Sequence, residues 1–192
     1  MKTNDALCLM SGMVGSKQGW LEAPYCACPA GFEEIAANLA WVEPGRVAIV
    51  PGLCCEHDGL PDVTRLQRIP DVMRGEETQI FGALQLLGLQ HAVVVLPGTH
   101  SKWVRVEAGR IRSFTTFMTG EFFALLRQHS ILSRTLPAAD GEVDHDAFAE
   151  GAALALRSGS LLQTAFSVRT LSLFDRLPAA ALPSYLSGLV IG

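Results

Sequence analysis

Between Val93 and Trp103 the sequence VVVLPGTHSKW sets a β-branched apolar run directly ahead of Thr99, His100, Ser101 and Lys102. Alternation resumes at Trp103-Val104-Arg105-Val106, so the segment reads as strand, tight turn, strand, with its polar groups gathered in the turn. Turn hydroxyls and backbone N–H groups beside a lysine suit a phosphate, and a plain polar hairpin tip is the competing reading. A second group is Arg74-Gly75-Glu76-Glu77-Thr78-Gln79. Two carboxylates at a helix start can act as a general base or hold a cation, and they also serve as ordinary acidic caps. A third is Met118-Thr119-Gly120-Glu121, at a strand-to-helix junction where backbone N–H groups bind anions, or where Thr119 simply caps the helix.

Two weaker groups accompany these. Gly12 to Trp20 (GMVGSKQGW), followed by Glu22-Ala23-Pro24-Tyr25, joins glycines to aromatics at a strand end, a combination that can form a sugar platform. Asp144-His145-Asp146 has the residue types of a ligand cluster, but it falls in a charged stretch that reads better as solvated linker.

The elements that must position these residues alternate between strand and helix. Ala6 to Met10 is a short strand running into the Gly-rich turn SGMVGS, and Gly31 to Trp41 has helical spacing at Phe32, Ile35, Ala36 and Leu39. Arg46 to Val50 is a strand stopped by Pro51-Gly52. Glu56 to Pro70, with His, Asp, Gly and two prolines, is a loop that a short strand can break. Glu76 to Leu87 is an amphipathic helix, the hairpin runs from Val93 to Val106, and Arg110 to Met118 adds a third strand. Gly120 to Leu132 is a further helix, Pro137 to Asp146 an acidic linker, and Ala147–Arg157, Leu161–Leu173 and Pro178–Leu189 are helical. The pattern predicts an α/β chain with a helical C-terminal part.

The 192 residues are 49% hydrophobic, enough to fold around a core. A net charge of −4 without any basic run argues against nucleic acid as a partner. No apolar run reaches the roughly 18 residues of a membrane span, and the N-terminal MKTNDALCLMSG makes a poor signal peptide, so the cytoplasm is expected. The five cysteines, Cys8, Cys26, Cys28, Cys54 and Cys55, are odd in number and lack the C-x-x-C spacing of zinc sites. His57 near Cys54 and Cys55 invites a metal reading, but buried reduced thiols are favoured.

Taken in order, SGMVGSKQGWLEAPY, PGLC, DVMRGEETQIFGA, LPGTHSKWV, FMTGEFFALLRQHSIL and LSGLVIG resemble the 2-dehydro-3-deoxygalactonokinase (2-keto-3-deoxy-galactonate kinase) family over Ser11 to Gly192. The resemblance implies ribonuclease-H-like lobes of the actin/sugar-kinase type, residues 1–90 belonging to the first and 91–192 to the second, with ATP and sugar in a cleft. It implies transfer of the ATP γ-phosphate to the 6-hydroxyl of 2-dehydro-3-deoxy-D-galactonate, with Mg²⁺. In that family's terms Gly98, Thr99, His100 and Lys102 hold ATP phosphates. RGEET also resembles the GEEEAR segment of exopolyphosphatases, which makes Glu76 the base, with Glu77 the alternate. Arg74 would hold the substrate carboxylate, Gly15, Ser16, Trp20 and Tyr25 would line the sugar side, and Thr119, Gly120 and Glu121 the cleft floor.

The family pattern opens with a D-x-G-[ST] turn that binds metal and phosphate, whereas here MKTNDALCLM precedes Ser11, so no metal ligand is assigned. The chain also closes on LSGLVIG inside an apolar helix. It therefore reads as a central fragment with incomplete lobes, expected to bind ATP poorly, turn over little and self-associate through uncovered apolar surface. An exopolyphosphatase-like phosphohydrolase and a non-catalytic sugar-acid-binding kinase remnant are the competing functions.

Overall fold

The computed structural model describes residues 6–58, 68–139 and 141–192. The chain is mixed α/β and divides into two compact units, residues 1–96 with 102–116, and residues 97–101 with 117–192. The hairpin turn belongs to the second unit. The hairpin strands stay with the first unit because Val104 and Val106 enter its core.

The first unit carries three small sheets. Strands β1 (Cys8–Met10), β3 (Ala40–Glu43) and β4 (Val47–Ile49) form one sheet in the order β1-β4-β3, with β1 parallel to β4. Strands β2 (Tyr25–Ala27), β5 (Gly52–Asp58) and β6 (Arg68–Met73) form the second, in that order. The third follows chain order through β7 (Ala92–Leu96), β8 (Ser101–Glu107) and β9 (Arg110–Phe117), and Ile111 of β9 makes a reciprocal bridge with Ala30. The hairpin register pairs Leu96 with Lys102 and Ala92 with Val106, as the alternation predicts.

Two helices lie among these strands. Helix α1 (Phe32–Ala37) is shorter than expected. The Asn38 side-chain amide donates to Glu34 O at its end, and the expected last turn of helix becomes β3, where Trp41 pairs with Ala48. Helix α2 (Glu76–Leu87) opens at Gly75 (φ 110°) and closes at Gly88 (φ 65°), both conformations that suit glycine. Its buried stripe is Glu77, Ile80, Phe81 and Leu84, a spacing of three and four residues that puts one carboxyl in an apolar row. Ile80, Phe81 and Leu84 join Leu53, Met73, Ile111 and Phe114 in the unit's core.

The stretch from Glu56 to Pro70, expected as loop, is strand at both described ends. Asp58 pairs with Arg68, and Glu56 with Pro70. Pro70 is tolerated because β6 lies at a sheet edge. The middle of that predicted loop lies outside the described residues.

The second unit is helical: α3 (Thr119–His129), α4 (His145–Ser158), α5 (Leu161–Thr164), α6 (Ser167–Leu173) and α7 (Leu182–Ile191). Asp144 caps α4 by accepting from Ala147 N at 2.9 Å, so Asp144-His145-Asp146 is a helix start and not a solvated linker. Helices α4 and α7 touch backbone to backbone: a Cβ on Gly151 would lie 2.2 Å from Tyr185 O, and one on Gly188 2.1 Å from Phe148 O. Leu132, Val168, Leu182, Leu186 and Leu189 fill the core of this unit. Among the described residues no helix is long and apolar enough to cross a membrane.

Candidate active site

In the first unit, the loop after β1 and the loop before α2 meet at two glycines. Gly12 has φ 94°, Gly75 has φ 110°, and a Cβ on Gly75 would come 3.2 Å from Gly12 Cα. This approach sets Ser11 against the start of α2. Ser11 Oγ lies 3.2 Å from Glu77 Oε1, to which it donates, and 2.8 Å from Thr78 Oγ1. Thr78 Oγ1 donates to the same Glu77 oxygen at 3.4 Å, and Gly75 N donates to Glu77 Oε2 at 2.7 Å. Glu77 has no exposed surface, whereas Ser11 and Thr78 are exposed. Burial pushes the Glu77 carboxyl above the usual carboxylate range, against the lowering effect of hydrogen bonds from its own and Gly75's backbone and from Ser11.

Glu76 is built differently. Its Oε2 accepts from Arg74 N at 3.0 Å, a bond that closes the turn into the helix, and its side chain is half-buried. The spacing of Glu77 from Ile80 and Phe81 was the sequence signal that separates the two carboxylates. Neither Ser11 nor Thr78 stood out as a functional residue in the sequence, because only the glycine approach brings them together.

Arg74 lies across the ring of Tyr25, with Cζ 4.3 Å from the ring centroid, and Nη2 donates to Ala23 O at 2.8 Å. Its Nε and Nη1 are buried and have no hydrogen-bond partner among the described residues. Gly15 is packed beneath it, where a Cβ would stand 3.0 Å from Nη1 and 2.8 Å from Ile49 Cγ2. Gly15 is therefore a packing position. Ser16 Oγ accepts from Gln18 N at 3.3 Å, and Trp20 is 63% exposed.

Lys102, expected on a phosphate, is 5% exposed. Its Nζ donates to Val72 O at 2.8 Å and Thr116 Oγ1 at 2.7 Å, so two of its three donors are occupied inside the first unit. The alternation of β8 explains this. Lys102 shares the inward side of the strand with Val104 and Val106, and from there its charge acts on Asp71. Asp71 accepts from Thr116 N at 2.7 Å and Thr116 Oγ1 at 2.6 Å. Desolvation pushes the Asp71 carboxyl up, but the Thr116 and Val72 hydrogen bonds and the Lys102 charge outweigh it and hold it below its usual value. A phosphate role for Lys102 is not supported by this arrangement.

In the second unit, the other turn residues do come together with the Met118–Glu121 junction. Glu121 N donates to Thr99 O at 3.1 Å, and Ser101 Oγ lies 2.5 Å from Thr119 Oγ1. Gly98 N donates to Ser101 Oγ at 3.2 Å. His100 Nε2 and Glu121 Oε2 are 2.5 Å apart. The turn lies so close to α3 that a Cβ on Gly120 would meet Gly98 O at 2.6 Å.

All five cysteines are free thiols, but the expected burial holds for Cys26 and Cys55 alone, since Cys28 and Cys54 are half-buried and Cys8 is exposed. Burial pushes the Cys26, Cys54 and Cys55 thiols up, and Cys28 is pushed up to about 12 by burial and by its Cys55 and Cys54 neighbours. Among the described residues, no group of three His, Cys, Asp or Glu side chains is arranged to hold a metal ion.

The family profile described as 2-keto-3-deoxy-galactonokinase matches residues 1–192. The chain belongs to that family. It is 40% identical over 184 residues to the 2-dehydro-3-deoxygalactonokinase of Escherichia coli K12, and 41% identical over 187 residues to a protein of Rhizobium meliloti 1021 assigned the same activity. The alignments cover 96% of this chain and 58% of each relative, so the chain spans under two thirds of their length. A crystal structure of a candidate 2-dehydro-3-deoxygalactonokinase from Sinorhizobium meliloti superposes with a TM-score of 0.83 at 38% identity. That match covers 96% of this chain and 60% of the other. These family members carry the name of a kinase, which does not favour the phosphohydrolase reading.

Proposed function

We propose that this chain serves transfer of the ATP γ-phosphate to the 6-hydroxyl of 2-dehydro-3-deoxy-D-galactonate, with Glu77 as the base. The observation that carries the reading is the buried Glu77 carboxyl, held by Gly75 N on one oxygen and by two hydroxyls on the other. Its raised proton affinity suits a group that must take a proton from an alcohol. Glu76 is a weaker candidate, because its carboxylate caps the Arg74 backbone.

Arg74 is the group for the substrate carboxylate. Two of its guanidinium donors are buried with no protein partner among the described residues, and a planar bidentate acceptor would satisfy them. Tyr25 keeps that guanidinium in place, Trp20 and Ser16 lie on the same loop, and Gly15 gives it room. In the second unit, Gly98, Thr99 and His100 are the turn residues for ATP phosphates, and Thr119, Gly120 and Glu121, the residues for the cleft floor, are bonded to that turn. Mg²⁺ takes most of its ligands from phosphate and water, so the lack of a protein cage among the described residues fits an ion arriving with the nucleotide. Bound there, it would neutralise phosphate charge, and no residue is assigned to it.

The same reading includes ribonuclease-H-like lobes of the actin/sugar-kinase type. It is supported by the consecutive β7-β8-β9 sheet, the helix that follows it and the likeness to the Sinorhizobium structure. A cytoplasmic location belongs to it too, as does self-association through apolar side chains such as Val93 (70% exposed) and Trp103 (51% exposed).

Calorimetry of the 192-residue chain with 2-dehydro-3-deoxygalactonate, followed by a coupled ADP-release assay, tests the proposal. Binding that Arg74→Ala weakens at least tenfold, and turnover that Glu77→Gln abolishes, are expected. A chain that binds no sugar acid overturns it.

A further inference from the structure

Glu77 has no exposed surface, yet its Oε1 is in contact with two side chains that do. The other oxygen is closed off by Gly75 N. Among the described residues the carboxyl therefore meets exposed groups through Ser11 Oγ and Thr78 Oγ1, which are themselves 2.8 Å apart. Either hydroxyl of that pair can donate to the other, so a proton arriving at one has a continuous hydrogen-bonded path to Oε1.

We propose that Ser11 and Thr78 form a two-hydroxyl relay that carries the acceptor alcohol's proton to Glu77. The inference rests on the kinase reading above and adds the residues that connect substrate and base. As the alcohol oxygen bonds to the γ-phosphorus of the nucleoside triphosphate, the bond from that phosphorus to the leaving diphosphate breaks and its electron pair leaves with the diphosphate. The alcohol proton passes to Ser11 or Thr78 Oγ, whose own proton moves to Glu77 Oε1. Atoms and charge balance, with the proton stored on the carboxyl until release.

The arrangement has local reasons to exist. A base buried in the apolar stripe of α2 gains proton affinity, but it cannot touch a ligand. The hydroxyls restore access without exposing the carboxyl. The charged neighbour on the same helix is Glu76, whose charge also favours the protonated form of Glu77.

The Glu77 side-chain carboxyl is followed by ¹³C NMR titration in wild type, Ser11→Ala, Thr78→Val and the double variant. Loss of both hydroxyls removes the donors to Oε1, and the titration midpoint is expected to rise by about one pH unit. A midpoint unmoved in the double variant overturns the relay, whatever the activity. Circular dichroism checks folding, and the single variants decide if the double variant unfolds. In the ADP-release assay the double variant is expected to lower kcat about 100-fold with KM within about twofold, and Thr78→Ser to restore it. Loss confined to KM, or full activity in the double variant, overturns the relay. A wild-type chain that binds no sugar acid overturns instead the kinase reading on which the relay rests.

Discussion

The Cβ position of Gly120 lies 2.6 Å from the carbonyl oxygen of Gly98 and 2.9 Å from Thr99 Cα. The hairpin turn and the first turn of α3 therefore meet backbone to backbone, and only glycine leaves room. Glu121 N and Thr119 Oγ1 add bonds to Thr99 and Ser101, so the contact is fixed from both sides.

Gly120→Ala is expected to destabilise the chain. On an exposed helix the same change stabilises by about 1 kcal/mol, so the sign is diagnostic. Here the turn must shift, at a cost of about 1–3 kcal/mol for overpacking. Urea denaturation gives the sign, and amide shifts at Thr99 and His100 report the displaced turn. A more stable variant with an unmoved turn contradicts the contact.

Lys102 supports the strands through its ammonium. Removing one member of a buried, hydrogen-bonded charge group leaves the others without compensation, so Lys102→Ala is expected to cost about 3 kcal/mol in urea denaturation. Lys102→Met, which keeps the apolar stem, is expected to cost less. Both variants raise the Asp71 carboxyl, because the Lys102 charge is one of the influences holding it down. The stability that Asp71 contributes is present above its ordinary value of 3.8 and is lost as pH falls through its lowered one. Acid unfolding should therefore begin at higher pH in both variants. A stability unchanged by Lys102→Ala is the contrary result.

Much of this arrangement was legible in the residues, for reasons that differ from element to element. Helix α2 follows from two glycines and a clean apolar period, and the hairpin from Pro97-Gly98 between alternating runs. The β5–β6 ladder was hidden because Glu56, His57, Asp58 and Pro70 are loop-type residues that occupy the exposed end of an edge pairing. In the site, Gly98–Thr99 and Thr119–Glu121 each stood out by residue type, but their meeting did not, because it depends on the close backbone approach at Gly120. Nor did the fate of Lys102, because a lysine in a turn motif looks the same whether its strand position faces in or out. The parity of Val104 and Val106 held the answer. Ser11 could not be found at all from spacing, since 66 residues separate it from Glu77.

Thiol reactivity separates Cys8 from the other four. Cys8 is exposed, whereas burial raises the remaining thiols and takes Cys28 to about 12. The thiolate is the reactive form, so a disulfide reagent at pH 8 is expected to modify Cys8 rapidly in the folded chain. All five should react in denaturant. Mass spectrometry after a short exposure counts the sites, and prompt modification of Cys28 in the folded chain contradicts its burial.

Glu77 gives a pH dependence of the opposite sign to Asp71. Its carboxyl is raised above the ordinary value of 4.5, so the folded chain holds this proton after the unfolded chain has lost it. Between 4.5 and the raised value the unfolded state binds fewer protons, and stability falls as pH rises through that window. Below 4.5 the penalty is absent, and above the raised value it is present in full. Glu77→Gln keeps an oxygen for Gly75 N and a polar group for Ser11 but removes the charge. The variant is therefore expected to melt a few degrees above wild type at pH 7, match it near pH 4, and lose the slope between. Equal melting curves at pH 7 would show that Glu77 carries no buried-charge penalty. A base held for chemistry at the expense of the fold should lose its catalytic role in the same substitution that stabilises the chain, and that opposition separates Glu77 from a carboxylate kept only as a helix cap.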